Sequence, residues 1–323
     1  MTVAQGHETV LLEPAASALV TNPNGRYVDA TFGRGGHSRR ILESLGGNGQ
    51  LLGIDRDPVA VVEGRKLAER ESRFTMVYGS FSDLRQHVTD VWPDASGTLD
   101  GILLDLGVSS PQLDDATRGF SFMQDGPLDM RMDPDSGESA AQWLTRADEK
   151  DIADVIYQYG EERHSRRIAR AIVRAREEAP IERTAQLAEI VKTAHPSWER
   201  HKHPATRTFQ AIRIHVNGEL DALQTVLEQS LDLLRADGCL CVISFHSLED
   251  RLIKQFMRRE YQGPRLPKGV PVQYEQTVGR LQKPEKAIRP DREEVERNPR
   301  ARSSTLRVAR LAVQQMEQTD GAS

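Results

Sequence analysis

The sequence predicts an α/β protein, a largely parallel sheet flanked by helices and interrupted by an all-helical insertion, and three observations predict it. Strand-like and helix-like patterns alternate through the first third of the chain, as in a parallel sheet with crossover helices. A glycine-rich turn, Gly33-Arg34-Gly35-Gly36, follows the first strand-like run. Between the fourth strand-like run and the fifth lie about eighty residues of helical periodicity.

In chain order, Tyr27 to Thr31 reads as the first strand, and the glycine turn leads into an amphipathic segment around Ile41, Leu42 and Leu45, closed by Gly46-Gly47. Gln50 to Ile54 is the second strand, Pro58 to Glu71 the helix after it, Phe74 to Tyr78 the third strand and Gly101 to Leu106 the fourth. The rhythm then breaks, because Gly107 to Asp135 is rich in Gly, Pro, Asp and Ser. A helical insertion is expected over residues 113–215, with helices at Asp148 to Tyr159, Glu162 to Glu178 and Thr184 to Ala194, the last closed by His195-Pro196. Residues 1–112 and 216–323 would form the two parts of the sheet domain. Leu220, Leu223, Leu227, Leu231 and Leu234 recur at three- and four-residue steps, so an amphipathic helix precedes Gly238. Cys239 to Phe245 is the fifth strand, and Ser247 and Asp250 have the spacing of a capping box that should start the next helix. Residues 261–301, with six prolines, read as an ordered loop or extended arm before a closing strand at Arg302 to Val313.

At 323 residues and 38% hydrophobic content, the chain can build a real core. No apolar run approaches the roughly 20 residues that cross a bilayer. Met1 to Glu13 lacks the basic start, apolar middle and small-residue cleavage site of a secretory signal, so a cytoplasmic protein with no membrane partner is expected. The only cysteines, Cys239 and Cys241, would share a strand face as small buried hydrophobes, which leaves no disulfide framework. The net charge of −5 conceals a gradient. Residues 1–150 carry 14 Lys and Arg against 23 Asp and Glu, a net of −9, whereas residues 251–310 carry 16 against 7, a net of +9. Local positive patches, rather than mean charge, attract a polyanion. In the helix expected at Glu162 to Glu178, Arg163, Arg166, Arg167, Arg170, Arg174 and Arg176 surround a narrow apolar stripe of Ile168, Ile172 and Val173. One face packs and the rest can meet phosphate; an ordinary solvated face is the competing reading.

The chemistry concentrates at strand ends. Asp29 lies in the first strand, and the glycines after it admit unusual backbone angles and remove the Cβ that would block a ligand. The free N–H groups of the next helix favour an anionic group there. Ser38 stands where a dinucleotide fingerprint needs its third glycine, which weakens a nicotinamide reading. Asp55, twenty-two residues beyond Gly33, is placed to accept hydrogen bonds from a ribose diol, or is simply the acidic residue ahead of a helix. Phe81 could pack on an adenine ring, although core packing is the commoner role of a lone Phe. Asp105, at the carboxyl end of the fourth strand, sits where open α/β sheets bind ligands and is the first catalytic candidate. His201, His203 and His246 make no four-ligand set at zinc spacing, so no metal is expected. Trp143, Phe120, Phe122, Met130 and Met132 are assigned to packing before base stacking.

The run Asp105-Leu106-Gly107-Val108-Ser109-Ser110-Pro111-Gln112-Leu113-Asp114, continuing through Arg118-Gly119-Phe120-Ser121-Phe122 to Asp125-Gly126-Pro127-Leu128-Asp129-Met130-Arg131-Met132-Asp133, closely resembles the ribosomal RNA small subunit methyltransferase H (MraW) family. So do the stretches Thr31 to Ser38, His203 to Gln210, Ser244 to Arg251 and Asn298 to Ser303, and the resemblance extends from His7 to about Arg310. It implies a Rossmann-like class I methyltransferase sheet with an inserted all-helical domain. The implied reaction transfers a methyl group from S-adenosylmethionine to cytosine N4 in the decoding region of 16S ribosomal RNA, within the small ribosomal subunit. By motif position it places cofactor contacts on Gly35, Gly36, His37, Asp55, Phe81, Asp105 and Gln112. On chemical grounds, apart from the resemblance, Asp105 would serve as a cofactor contact, as the acceptor for the amine, or as both, Ser109 and Ser110 would help hold the base, and Arg166, Arg170 and Arg174 on the arginine helix would meet RNA phosphate. Asp105 is followed by Leu106-Gly107-Val108 rather than the Pro-Pro-aromatic continuation of many amino-methylating enzymes. A non-catalytic ribosome-assembly factor that keeps the cofactor fold as an RNA-binding scaffold is the alternative, disfavoured by the intact Gly35, Gly36, Asp55 and Asp105.

Overall fold

The computed structural model describes residues 8–196, 203–264 and 279–313. The chain divides into two compact units, one formed by Met1–Gly107 with Ala222–Ser323 and the other by Val108–Asp221.

The first unit opens with helix α1 (Leu12–Leu19), whose Pro14 falls in the first turn, where no helical N–H is needed. Strand β1 (Arg26–Asp29), helix α2 (Gly36–Ser44), strand β2 (Gln50–Asp55), helix α3 (Pro58–Ala68) and strand β3 (Phe74–Tyr78) follow. Helix α3 starts where the sequence says it should: Asp57 accepts the Val59 N–H at 2.9 Å and Pro58 takes the first helical position. Helix α4 (Leu84–Val91) leads to strand β4 (Leu99–Asp105).

The second unit is helical. It contains the short helix α5 (Ser110–Asp114), then α6 (Ala140–Arg146), α7 (Glu149–Gly160), α8 (Ser165–Glu178), α9 (Thr184–Ala194) and α10 (Ala205–Asn217). Its core collects Leu144, Ile152, Ile156, Ile168, Ile172, Leu187, Val191 and Ile212 from five of these helices. Phe120, Met130, Met132 and Trp143 join them, so these side chains pack rather than await a ligand. Phe122, partly buried, lies against the rings of His203 and Phe209.

The chain returns to the first unit through α11 (Glu219–Leu233), then strand β5 (Leu234–Ser244), helix α12 (Ser247–Gln262), helix α13 (Arg292–Arg297) and strand β6 (Thr305–Arg310). The six strands form one sheet in the order β3-β2-β1-β4-β5-β6, parallel except for β6. Central β4 is buried on both faces. Ile102 and Leu104 pack with Leu223, Leu227, Val242 and Ile253, while Leu103 faces the opposite cluster with Leu19, Tyr27 and Ile243. Cys239 and Cys241 are fully buried free thiols on one strand face, with sulfurs 3.6 Å apart.

Several expectations are corrected. The cap of α12 is His246, paired with Glu249, one position before the expected Ser247 and Asp250: the Glu249 N–H reaches His246 Nδ1 at 3.4 Å and the Phe245 N–H reaches Glu249 Oε2 at 2.8 Å. The closing strand starts three residues late, because Pro299–Ser303 coil into a 3-10 turn first. Helix α13 interrupts the expected arm, capped by Asp291, which accepts the Glu294 N–H at 2.7 Å; residues 265–278 of that arm lie outside the described residues.

Ile102→Ala empties the middle of β4, where the side chain is fully buried. It should destabilise the sheet unit by about 2–5 kcal/mol, read as a lower urea midpoint with an unchanged slope.

Candidate active site

The strand order reverses between β1 and β4, which opens a crevice at their carboxyl ends. Each neighbouring strand ends there on an acid: Asp29 on β1, Asp55 on β2 and Asp105 on β4. The turn from β1 into α2 runs across these ends. Gly35 caps α2 at φ +72°, a left-handed conformation that strains any residue with a Cβ. A Cβ on Gly36 would lie 1.8 Å from Thr9 Oγ1, so only glycine fits.

Hydrogen bonds join the three acids to this turn. The Gly33 N–H donates to Asp55 Oδ2 at 2.7 Å, and the Asp57 N–H to Asp55 Oδ1 at 2.8 Å. The Ser38 hydroxyl donates to Asp29 Oδ2 at 2.6 Å, and the Thr31 N–H reaches Asp29 Oδ1 at 3.3 Å. Thr31 Oγ1 in turn accepts the Asp105 N–H at 2.6 Å. Asp105 Oδ2 lies 3.5 Å from His37 Nε2, while its Oδ1 is buried and makes no hydrogen bond among the described residues.

This crowding sets the charges. Burial raises the Asp29 carboxyl above its ordinary value against the pull of His37 and Ser38. Asp55 keeps part of its surface toward solvent, yet desolvation by the packed protein, aided by Asp57 and Asp29, pushes it up to about 6. For His37, burial works to lower the pKa, but Asp105 and Asp29 more than offset it and hold the imidazole above its usual range. Three acids at neighbouring strand ends, two of them facing the imidazole, suit a cationic ligand and disfavour a pyrophosphate.

The sequence matches the MraW methylase family over residues 4–312. The chain belongs to that family. It is 57% identical over 306 residues to "Ribosomal RNA small subunit methyltransferase H" of Chromohalobacter salexigens, covering 94% of this chain and 91% of that protein. It is also 58% identical over 311 residues to the protein of the same name from Thioalkalivibrio sulfidiphilus, covering 96% of this chain and 98% of that one. A third, from Idiomarina loihiensis, is 54% identical over 312 residues, covering 96% and 98% respectively.

For a methylase, the donor set fits S-adenosylmethionine. The first turn of α2, at Gly36 and the backbone of His37, presents to a carboxylate helical N–H groups that need no intrahelical partner, while Gly35, its own N–H bonded to the Phe32 carbonyl at 2.7 Å, shapes the turn. The acidic surroundings suit an ammonium and a sulfonium. Asp55 retains lone pairs for ribose hydroxyls beyond its two backbone bonds. Phe81 begins a 3-10 turn after β3 and packs partly buried against the sheet core.

The remaining expected site residues belong to the second unit. Ser109 caps α5, and Gln112 Oε1 accepts the Ser109 N–H at 2.7 Å, so this Gln has a local role in shaping the turn. On α8, Arg166, Arg170 and Arg174 are exposed. Arg170 Nε lies 3.6 Å from Glu149, whereas Arg176 is spent on the Leu144 and Ala147 carbonyls. In the C-terminal segment Arg280 pairs with Glu228, Asp232 and Glu260, Arg259 with Glu228 and Glu260, Arg297 with Glu8 and Arg307 with Asp250, so part of the +9 is neutralised, while Lys254, Arg258, Lys283, Lys286, Arg289 and Arg302 stay exposed.

Among the described residues, one group has metal-ligand spacing, Glu162, His164 and His195. The Arg207 guanidinium lies 3.5 Å from Glu162 Oε2, the oxygen that also faces His195, and already meets the charge of that carboxylate. His203 Nδ1 accepts the Ala205 N–H at 3.2 Å, and His201 lies outside the described residues. No helix among the described residues is long and apolar enough to cross a membrane. Thr31, whose hydroxyl links the ends of β1 and β4, was missed as a site residue; its only sequence signal is a hydroxyl at the strand-to-turn boundary.

Ribose hydroxyls bind an ionised Asp55 better than a protonated one. Affinity for S-adenosylmethionine should therefore fall as pH drops through about 6, by about tenfold at pH 5 relative to pH 8. Calorimetry should show Asp55→Asn weaker throughout and nearly flat across that range.

Proposed function

We propose that this chain methylates the N4 amine of a cytidine in the decoding region of 16S ribosomal RNA, with S-adenosylmethionine as the methyl donor. The observation that carries the reading is Asp105. Its backbone is pinned by Thr31, one carboxylate oxygen faces His37 and the other is uncommitted, all at the switch point of a family of methylases. The names of the three relatives support ribosomal RNA of the small subunit as the substrate.

A cytosine amine is a poor nucleophile, since its lone pair is delocalised into the ring. Bound at the cradle, S-adenosylmethionine supplies a methyl group already activated by a sulfonium. What the protein must add is alignment, worth on the order of 7–11 kcal/mol in the best intramolecular cases. In this reading the Asp105 carboxylate accepts an N–H of the amine and fixes its direction, without full prior deprotonation. Asp55 and the first turn of α2 hold the donor still. Ser109 and Ser110 steady the base, which must be unstacked, at a cost of a few kcal/mol that a single-stranded or distorted site reduces.

The exposed arginines of α8 are the proposed phosphate contacts. Arg166 and Arg174 form no ion pair among the described residues, which leaves them available to RNA.

Nucleoside mass mapping of small-subunit RNA from a strain lacking this protein should show loss of N4-methylation at one cytidine, restored by the wild-type gene. An unchanged methylation pattern would refute the enzyme reading. Replacing Arg166, Arg170 and Arg174 together by Ala should weaken RNA binding at least tenfold and flatten its salt dependence, with cofactor affinity within about twofold. Unchanged RNA affinity in a filter-binding assay would return α8 to the ordinary solvated surface.

A further inference from the structure

We propose that His37 is a positioning residue which, as an imidazolium, grips the Asp105 carboxylate and thereby fixes the direction that carboxylate presents to the substrate amine. This assigns the side chain a task separate from its backbone N–H, and its catalytic part rests on the function proposed above.

Geometry carries the inference. His37 is the second residue of α2 and its side chain is 4% exposed. Nε2 lies 3.5 Å from Asp105 Oδ2, slightly beyond a formed hydrogen bond, and neither ring nitrogen is bonded among the described residues. A buried histidine with a purely structural role is normally hydrogen-bonded. Catalytic hydrogen bonds are often long without substrate and tighten in the complex, and the buried, unbonded Asp105 Oδ1 is the third atom of this set.

The surroundings select the protonation state. Asp29 at the end of β1 and Asp105 at the end of β4 are the charged groups facing the ring, and from the segment before α1 the Val10 carbonyl faces it too. Thr9, an uncharged neighbour, packs on Gly36. Two carboxylates and a carbonyl are all acceptors, and only the imidazolium offers a donor at both nitrogens. A neutral ring must turn a lone pair toward an acceptor, either the Asp105 carboxylate or the Val10 carbonyl. Ser38, the next residue, holds Asp29 through its hydroxyl, so the same helical turn restrains both the imidazole and the acid below it.

The sign of the pH effect follows. His37 stands above its ordinary value, so the grip is complete at low pH and is lost as pH rises through the folded-state value. The contribution of His37 to methyl transfer should be lost in the same window.

The test has two arms. In the first, the nine histidines are carbon-13 labelled and the full-length protein is titrated by NMR, the His37 signal being assigned by its absence in His37→Gln. The His37 midpoint should lie above about 6.5, the unperturbed value, and should fall by at least half a pH unit in Asp105→Asn. A midpoint at or below the ordinary value, or one unmoved by Asp105→Asn, overturns the proposal. In the second, single-turnover methyl transfer at saturating RNA and cofactor is followed against pH. The wild-type rate should lose its His37-dependent component through the NMR midpoint. His37→Gln, which keeps a neutral donor, should transfer about tenfold more slowly with a flat profile over that range, and its affinity for S-adenosylmethionine should stay within about threefold. An unchanged rate and profile in His37→Gln also overturns the proposal. Should the NMR coupling hold while wild-type enzyme leaves cytidine N4 unmodified, the function reading fails and the His37–Asp105 pair stands.

Discussion

Thr31 Oγ1 accepts the Asp105 backbone N–H at 2.6 Å, and the arrangement of the site follows from this bond. It ties the turn after β1 to the end of β4, across the line where the strand order reverses. With that distance fixed, Gly33 can reach Asp55 on one side and Ser38 can reach Asp29 beneath. His37, between Ser38 and the glycine cradle, turns Nε2 toward Asp105. A short backbone segment thus serves several purposes: its glycines leave room above the strand ends, its hydroxyls brace two of them, and its imidazole meets Asp105. Strain from a mutation at any one of these residues would spread to the others, because they share bonds instead of standing side by side.

Much of this was legible in the sequence, for identifiable reasons. Strands β2 and β4 are near-continuous apolar runs ending in Asp, the pattern of buried parallel strands. Helix α9 was located to the residue, because Thr184 and His195-Pro196 mark both of its ends. Helix α10 was not named. Its apolar positions are interleaved with Arg207, Gln210 and Arg213, and its start at Pro204 carries no conventional cap. The cap of α12 was displaced by one residue because the signal for Ser and Asp at capping spacing outweighed a histidine that caps through its ring nitrogen. Asp29, Asp55 and Asp105 could be placed by strand position alone. The bond from Thr31 and the facing of His37 could not, since both depend on side chains meeting across strands far apart in sequence.

Charge was the poorest guide when summed. The C-terminal segment carries a net of +9, yet Arg280 alone touches three carboxylates on two helices. These are tethers holding a late segment against α11 and α12, and surface pairs of this kind contribute little each but fix geometry collectively. The α8 arginines differ. Arg166 and Arg174 there form no ion pair among the described residues, and Arg170 lies 3.6 Å from Glu149. A summed charge therefore does not distinguish a tethered cation from one left exposed, which the pairing pattern does.

The two thiols in β5 have a practical consequence. Cys239 and Cys241 are fully buried, sit on the same face of a strand between β4 and β6, and are the only cysteines in the chain. A thiol reagent has no access to them while the sheet is closed, and burial, together with each thiol's contact with the other, holds Cys241 well above the ordinary thiol range, so little thiolate exists to react. Modification therefore waits on opening of the sheet itself. The chain carries its own chemical clock: the rate at which it is labelled, without any engineered probe, measures how often the strand beside β4 lets go.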